Sequence, residues 1–161
     1  MSMVRGVLIA WLLVAMVGCG ADPAGPHEGQ RAPSIEGSLM TGGSLDFRAL
    51  RGKPTVLVFW ASWCGPCRQE APEIASIAQQ HGAAINLVGI NAGEAVAVAQ
   101  RAAKEMAIRW PVVMDSDGSI QSLYNVTGIP LVLILDANGV VRHRNNGMPS
   151  NIHRLLDGLM Q

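Results

Sequence analysis

A pair of cysteines directly follows the segment of the chain that most strongly predicts a buried strand. Thr55–Trp60 (TVLVFW) is a continuous apolar run rich in β-branched and aromatic residues, which is typical of a strand with both faces buried. The sequence WCGPC follows at 63–67, and a helical pattern runs from about residue 65 to residue 80. A cysteine pair with this spacing, between a buried strand and a helix, favours a redox dithiol in an α/β domain.

The chemistry expected of this pair follows from its position at the start of a helix. Unpaired backbone N–H groups and the helix dipole stabilise an anion there, so Cys64 is the predicted nucleophile. Cys67 lies one helical turn further along and is predicted to be the more buried of the two. It would resolve a mixed disulfide by attacking the sulfur of Cys64.

Other interpretations of the cysteine pair differ in how well the rest of the sequence supports them. A structural zinc site needs four ligands, whereas the third cysteine is Cys19 and the four histidines are scattered, so no metal site is predicted. A disulfide that only staples so small a loop adds little stability. A non-catalytic module that holds Cu(I) between two thiolates stays open. No cofactor is predicted.

The composition excludes two broad classes of protein. Twelve Lys and Arg balance twelve Asp and Glu over 161 residues, so the chain lacks the basic field of a nucleic-acid-binding protein. Hydrophobic residues make up 49% of the chain, which excludes an intrinsically disordered polymer. The length is that of one domain with a short extension.

The N-terminal residues predict export. An apolar run at 7–17 is too short to span a membrane and has the length of a signal-peptide core. It ends in MVGC at 16–19, which resembles a bacterial lipobox, so residues 1–18 are predicted to be a signal peptide and Cys19 the lipidated residue. Ordinary secretion and an uncleaved anchor are the alternatives. Residues 19–31, rich in Gly and Pro, predict a flexible tether.

The remainder of the chain, 32–161, alternates extended and helical patterns, which predicts an α/β domain. A second apolar run at 85–91 and the intervening helix predict a βαβ unit with the first strand. Two later extended runs are joined through Asn138-Gly139, a strong hairpin signal. Short extended pieces around residues 41–43 predict a hairpin extension at the N-terminal side of the domain.

The segment FWASWCGPCRQEAP at 59–72 resembles the thioredoxin superfamily. Its C-x-x-E-x-P continuation at 67–72 is similar to the TlpA/ResA-like branch of exported thiol-disulfide oxidoreductases. The resemblance covers 32–161 and implies a thioredoxin-like fold, in which a central mixed β-sheet is flanked by helices.

The resemblance also carries expectations for individual residues. The sequence TGIP at 127–130 matches the family's second mark, which implies a cis peptide bond before Pro130. Such a bond would turn the backbone of Ile129 toward an extended client segment for strand-like pairing. The substrate-binding residues implied are Trp63, Ile129 and Pro130.

Two positions near the dithiol raise the question of its proton acceptor. Cytoplasmic thioredoxin has a buried acid six residues before the first cysteine, and Val58 stands there in this chain. The segment at 91–94 resembles one that brings a Glu near the dithiol in ResA-like proteins, so Glu94 is the predicted proton shuttle for Cys67. The alternative is that Glu94 has no role at the dithiol and lies at the start of the next helix, where a carboxylate is favoured. For Glu70, a role at the site and a solvated position on the helix are equally weighted interpretations.

The function implied by these features is reduction of disulfides in exported proteins, with cytochrome c maturation as the best-known client pathway of the family. An exported reductant needs electrons from across the membrane, which the resemblance assigns to a DsbD- or CcdA-like integral protein. Lipid on Cys19 would tether the protein to the cell envelope. The alternatives are an exported thiol oxidant or isomerase, and the Cu(I)-handling module.

Overall fold

The computed structural model describes residues 24–161, so the predicted signal peptide at 1–18 and the predicted lipidation at Cys19 lie outside the described residues. The described chain alternates strands and helices. The strands are β1 (Thr55–Trp60), β2 (Asn86–Ala92), β3 (Val112–Asp115), β4 (Leu131–Leu135) and β5 (Val141–Asn145). The helices are α1 (Gly65–His81), α2 (Val96–Glu105), α3 (Ser119–Leu123) and α4 (Ile152–Leu159).

The strands form one sheet in the order β3-β2-β1-β4-β5. β1 pairs in parallel with β2, and β2 with β3. β4 is antiparallel to β1, and β5 is antiparallel to β4. The predicted fold class, a central mixed sheet flanked by helices, is confirmed.

β1 is the central strand of the sheet, and every one of its residues is buried. Leu57 and Phe59 belong to a core on one side of the sheet, where the ring of Phe59 packs 5.6 Å from that of Tyr124. Val56 and Val58 belong to the core on the other side, formed with residues of α1 and α4. A strand that is apolar at every position fits this two-sided environment.

The two ends of β1 have different neighbours. Thr55 pairs with Leu135, so the turn between β4 and β5 lies at this end of the sheet. Phe59 pairs with Leu131, and the chain leaves β1 after Trp60 toward the cysteines. The dithiol and the β4–β5 turn therefore lie at opposite ends of the sheet.

The segment 24–31 packs against β5, and this corrects the prediction of a flexible tether for these residues. The Gly29 N–H donates to the Val141 carbonyl at 2.8 Å, and the Val141 N–H donates to the Gln30 carbonyl at 2.8 Å. The free edge of β5 has unpaired backbone donors and acceptors, and the segment satisfies part of this edge. Gly and Pro content alone does not reveal such a partner.

The N-terminal hairpin extension is short and lies along β3. Ser38 bridges Ser44 in the antiparallel sense, and the Leu39 N–H donates to the Gly43 carbonyl at 2.9 Å. Leu39 also bridges Val113 of β3. None of the helices within 24–161 combines the length and the apolar character that crossing a membrane requires.

Candidate redox-active site

The cysteine pair begins helix α1, where the sequence predicts it. Cys64 is the N-cap residue, with extended backbone angles, and Pro66 occupies the first turn. The Cys67 N–H donates to the Cys64 sulfur at 3.2 Å. The two residues are joined by a disulfide, and their Cα atoms lie 5.3 Å apart. The local sequence suits this arrangement because the first N–H groups of a helix have no partner in the helix, so a Pro, which has no N–H, loses no hydrogen bond there.

The two cysteines are equally buried, each with 3% of its surface exposed, so the prediction that Cys67 is the more buried is wrong. Both belong to one buried cluster with residues of β1, β2, β3 and α2, which the local sequence does not show. The feature that distinguishes the sulfurs is the N–H donated to Cys64, which favours a thiolate there. Trp63, by contrast, is 71% exposed beside the pair.

The loop before β4 adds a cis-proline to the site. The peptide bond between Ile129 and Pro130 is cis, as the resemblance implies. Ile129 is partly buried against the group of residues that contains both cysteines. Pro130 is buried and lines the same cavity as Cys67. Client binding by Trp63, Ile129 and Pro130 stays a prediction.

Glu94 contacts the loop in front of the dithiol. Its carboxylate accepts hydrogen bonds from the Ser62 N–H at 2.8 Å, from the Ser62 hydroxyl, and from the Asn91 amide at 2.8 Å. Burial acts to raise the pKa of Glu94, but the hydrogen bonds from Ser62 and Asn91, with a smaller effect of Arg68, hold its pKa below the ordinary value of 4.5. A carboxylate held in this way is suited to fix the loop, and its role in proton transfer stays a prediction.

Arg68 holds the same loop from helix α1. Its Nε donates to the Ser62 carbonyl at 2.9 Å, and its Nη1 lies 3.2 Å from the carboxylate of Glu105 on α2. Ser62 therefore has its N–H, hydroxyl and carbonyl all engaged by side chains of Glu94 and Arg68. This arrangement orients the segment that leads into Cys64.

Behind Cys67 lies a small cavity, of about 10 Å³, between α1 and the sheet. Its lining includes Cys67, Glu70, Trp60, Trp110 and Val58. The indole N–H groups of Trp60 and Trp110 and one carboxylate oxygen of Glu70 are buried with no hydrogen-bond partner in the described part of the chain.

Glu70, which the sequence allows equally well as a solvated helix residue, lies in the cavity behind Cys67. One of its oxygens accepts from the Met148 N–H at 3.2 Å, and the other has no partner among residues 24–161. Burial raises the pKa of Glu70, the Met148 N–H opposes this, and the negative charge of Glu73 adds to the rise. The signal was available, because residues three apart on a helix share a face and Glu70 follows Cys67 by three.

Val58, which stands where cytoplasmic thioredoxin has a buried acid, lines this cavity. Its side chain is apolar and cannot accept a proton. Glu70 brings a carboxylate to the same cavity from α1 instead of from β1. Within 24–161, no three His, Cys, Asp or Glu side chains are grouped to hold a metal ion.

The chain is similar in sequence to several known proteins. Residues 28–144 match the model of the AhpC/TSA family. The thioredoxin-like protein YneN of Bacillus subtilis is 31% identical over 121 residues, which are 73% of this chain and 71% of YneN. The thiol-disulfide oxidoreductase ResA of the same organism is 29% identical over 71% of this chain, but the match spans only 64% of ResA. The soluble secreted antigen MPT53 of Mycobacterium tuberculosis is 30% identical over 87% of this chain and 80% of its own length.

Solved structures extend the likeness to the fold. A structure of M. tuberculosis DsbF, in mixed oxidised and reduced forms, superposes with a TM-score of 0.72 at 28% identity and covers 78% of this chain and 95% of DsbF. A thiol:disulfide interchange protein DsbE from Chlorobium tepidum, so described in its structure, gives 0.71 at 27% identity, over 81% of this chain and 92% of its own. Fold, dithiol and relatives agree, so the protein is a thiol-disulfide oxidoreductase with a thioredoxin-like fold. The chain belongs to the AhpC/TSA family.

Proposed function

We propose that this protein is an exported, membrane-tethered oxidoreductase that reduces disulfides in exported proteins by dithiol-disulfide exchange. The observation that carries the proposal is the Cys64–Cys67 pair at the start of α1, beside the cis-proline Pro130 and the exposed Trp63. A nucleophile at a helix N-terminus and a second thiol one turn away are the two sulfurs that exchange requires.

The exchange proceeds in two steps. The Cys64 thiolate attacks one sulfur of a client disulfide, forms a mixed disulfide and releases the other client sulfur as a thiolate. Cys67 then gives its proton to Glu70, which lines the same cavity, rather than to Glu94, whose pKa is held low by Ser62 and Asn91. The Cys67 thiolate then attacks the Cys64 sulfur. The second client sulfur leaves as a thiolate, the client gains two electrons, and the protein is left with the Cys64–Cys67 disulfide.

Export is supported by the N-terminal sequence and by the name of one relative, and tethering by the lipobox-like MVGC at 16–19 alone. The apolar run at 7–17 precedes Cys19, and MPT53 is named a soluble secreted antigen. An exported reductant needs a source of electrons in the membrane, for which a DsbD- or CcdA-like protein is the proposed donor. Apocytochrome c is the proposed client class, because haem attachment needs two free thiols.

The direction of electron flow is tested by the midpoint potential of the Cys64–Cys67 couple. Thioredoxin has a potential of about −270 mV and DsbA about −120 mV. The Gly-Pro dipeptide between the cysteines matches that of thioredoxin and supports the lower value. A potential near −250 mV or below supports a reductant. A potential near −120 mV overturns this direction in favour of an oxidant.

A mixed-disulfide trap tests whether the pair exchanges disulfides at all. Cys67→Ala leaves Cys64 without its resolving thiol, so clients accumulate as dithiothreitol-sensitive adducts in the cell envelope. Cys64→Ser abolishes both the adducts and disulfide reduction. Absence of adducts in the Cys67→Ala strain, together with Cu(I) binding by the wild-type dithiol, would instead favour the metal-handling alternative.

A further inference from the structure

The described chain begins at the end of the sheet that lies furthest from the dithiol. Ala24 bridges Arg31, and Arg31 bridges Val140, just before β5. This is the end at which Thr55 starts β1, whereas Cys64 follows the other end. Because β1 has six residues, about 20 Å separates the two ends.

The same end carries a basic surface, which we call the basal face and define by Arg48, Arg51, Lys53 and the turn 136–139. The Gly52 N–H donates to the Ala137 carbonyl at 2.8 Å, and Arg51 Nη1 donates to the Asn138 carbonyl at 3.0 Å. These bonds join the 48–53 segment and the turn into one continuous surface.

The charge of the basal face is positive although the chain as a whole is balanced. Asp46 lies 3.7 Å from Arg48, and Asp136 is paired with Arg142 at 2.7 Å. Arg51 and Lys53 are exposed and take part in no ion pair within residues 24–161. Two cations are therefore left to act on an anionic partner.

The length of chain before the described residues points to the identity of that partner. Residues 19–23 separate the predicted anchor at Cys19 from Ala24. Five residues reach at most about 18 Å even when fully extended. An anchor on Cys19 thus holds the basal face within reach of the lipid headgroups, while the dithiol stays on the far side of the domain.

We propose that the basal face docks on the anionic phospholipid headgroups of the membrane that holds Cys19, so that Cys64, Cys67 and Trp63 face the aqueous phase. Arg and Lys close to an anionic membrane surface are attracted to it over about a Debye length. The proposal rests on the tethering in the proposed function. It implies that clients reach the dithiol from the aqueous side, and that the membrane-bound electron donor must extend above the bilayer, to a height set by the domain, to reach it.

Hydrogen exchange on vesicles tests this orientation. The processed full-length protein is purified from membranes and reconstituted on phosphatidylcholine vesicles with or without phosphatidylglycerol. We expect phosphatidylglycerol to slow exchange at 48–53 and 136–139 and to leave 62–68 unchanged. Slowed exchange at 62–68, or no effect of phosphatidylglycerol at 48–53, overturns the proposal.

A matched pair of charge reversals gives the control. The double variant Arg51→Glu with Lys53→Glu is expected to lose the phosphatidylglycerol-dependent slowing. The double variant Arg101→Glu with Lys104→Glu makes the same change in charge on exposed residues of α2 and is expected to keep it. Equal behaviour of the two double variants overturns the assignment to the basal face.

The mass of the N-terminal peptide separates failure of the tether from failure of the docking. A peptide without acyl chains refutes the tether. Docking is then measured by sedimentation of the processed protein with phosphatidylglycerol vesicles at low salt. Sedimentation that is lost in the Arg51/Lys53 double variant and kept in the Arg101/Lys104 double variant supports docking, and equal sedimentation of both overturns it.

Discussion

Glu70 and Glu73 lie three residues apart on α1, yet only Glu70 lines the cavity behind Cys67. Glu70 is half-buried, whereas Glu73 is exposed. Burial raises the pKa of Glu70, which brings it closer to that of a thiol and makes the carboxylate a better proton acceptor. Two identical side chains on neighbouring turns thus have different chemistry because of what packs against them.

Replacing Glu70 with Gln should slow the second step of exchange. Cys67 would lose the acceptor for its proton, so we expect the mixed disulfide to persist and client reduction to fall by about 100-fold, the lower end of the usual range for general-base catalysis. Stopped-flow reduction of a model disulfide checks this. Glu73→Gln serves as the control and should react at the wild-type rate. A wild-type rate in Glu70→Gln would exclude Glu70 as the acceptor.

The low pKa of Glu94 predicts how the free energy of unfolding depends on pH. Its pKa is lower in the folded protein than the ordinary value of 4.5, so the stability that it contributes is fully present above pH 4.5. That contribution is lost as the pH falls below 4.5 toward the folded-state pKa. Urea unfolding at pH 7, 4.5 and 3.5 should therefore show wild type losing more stability on acidification than Glu94→Gln.

The control for Glu94 is Glu105→Gln, which removes an exposed carboxylate paired with Arg68 at the surface. Exposed pairs contribute little, so this variant should follow the wild-type acid dependence closely. Parallel acid dependence of wild type and Glu94→Gln would show that the bonds to Ser62 do not stabilise the folded state.

At the scale of elements, Arg144 of β5 forms hydrogen bonds with two segments that are distant from each other in sequence. Arg144 Nη1 donates to the Pro26 carbonyl at 3.3 Å, and its Nη2 donates to the Asn125 carbonyl at 3.0 Å. Its backbone N–H also donates to the Glu28 carboxylate at 3.0 Å. The N-terminal segment and the loop after α3 are thus both held to the edge strand.

Arg144→Ala should release the N-terminal segment without affecting the dithiol. Removing hydrogen bonds from a charged donor predicts a loss of about 1–3 kcal/mol in the free energy of unfolding. Limited proteolysis should show faster cleavage within 24–31, while client reduction stays at the wild-type rate. Arg154→Ala, an exposed position on α4, is the control and should change neither. Unchanged cleavage in Arg144→Ala would mean that the backbone bonds to Val141 are sufficient.

At the scale of the whole molecule, Tyr124 joins the chain before β1, at Pro33, to the core. It is fully buried, its ring packs against Phe59, and its hydroxyl donates to the Pro33 carbonyl at 2.6 Å. Burial raises the pKa of Tyr124 well above its ordinary value of 10.0. It is the only tyrosine in the chain, so its ionisation can be followed by absorbance without interference from another tyrosine.

Tyr124→Phe should lower the free energy of unfolding by about 1–3 kcal/mol at pH 7, since the Pro33 carbonyl loses its donor. Because the folded-state pKa is raised, the contribution of Tyr124 is present below pH 10 and is lost as the pH rises above it. Wild type should therefore lose stability above pH 10 more steeply than the variant. A tyrosinate signal that titrates near pH 10 in the folded protein would contradict this.

The features that the sequence alone determined are local ones. The run at 55–60, the WCGPC motif and the helix that follows are consecutive, so their strand, turn and helix propensities act on neighbouring residues and predict β1, the dithiol and α1 together. The alternation of later elements predicts the mixed α/β class for the same reason.

The tertiary structure alone decided the features that join distant residues. Glu70 is partly buried because Met148 and the sheet close over it, Glu94 bonds to Ser62 across 32 positions, and the segment 24–31 finds the free edge of β5. None of these partners is near in the chain, so neither spacing nor composition indicates them. Burial and hydrogen bonding depend on which surfaces the folded chain brings together, and that is set by the packing of the whole domain.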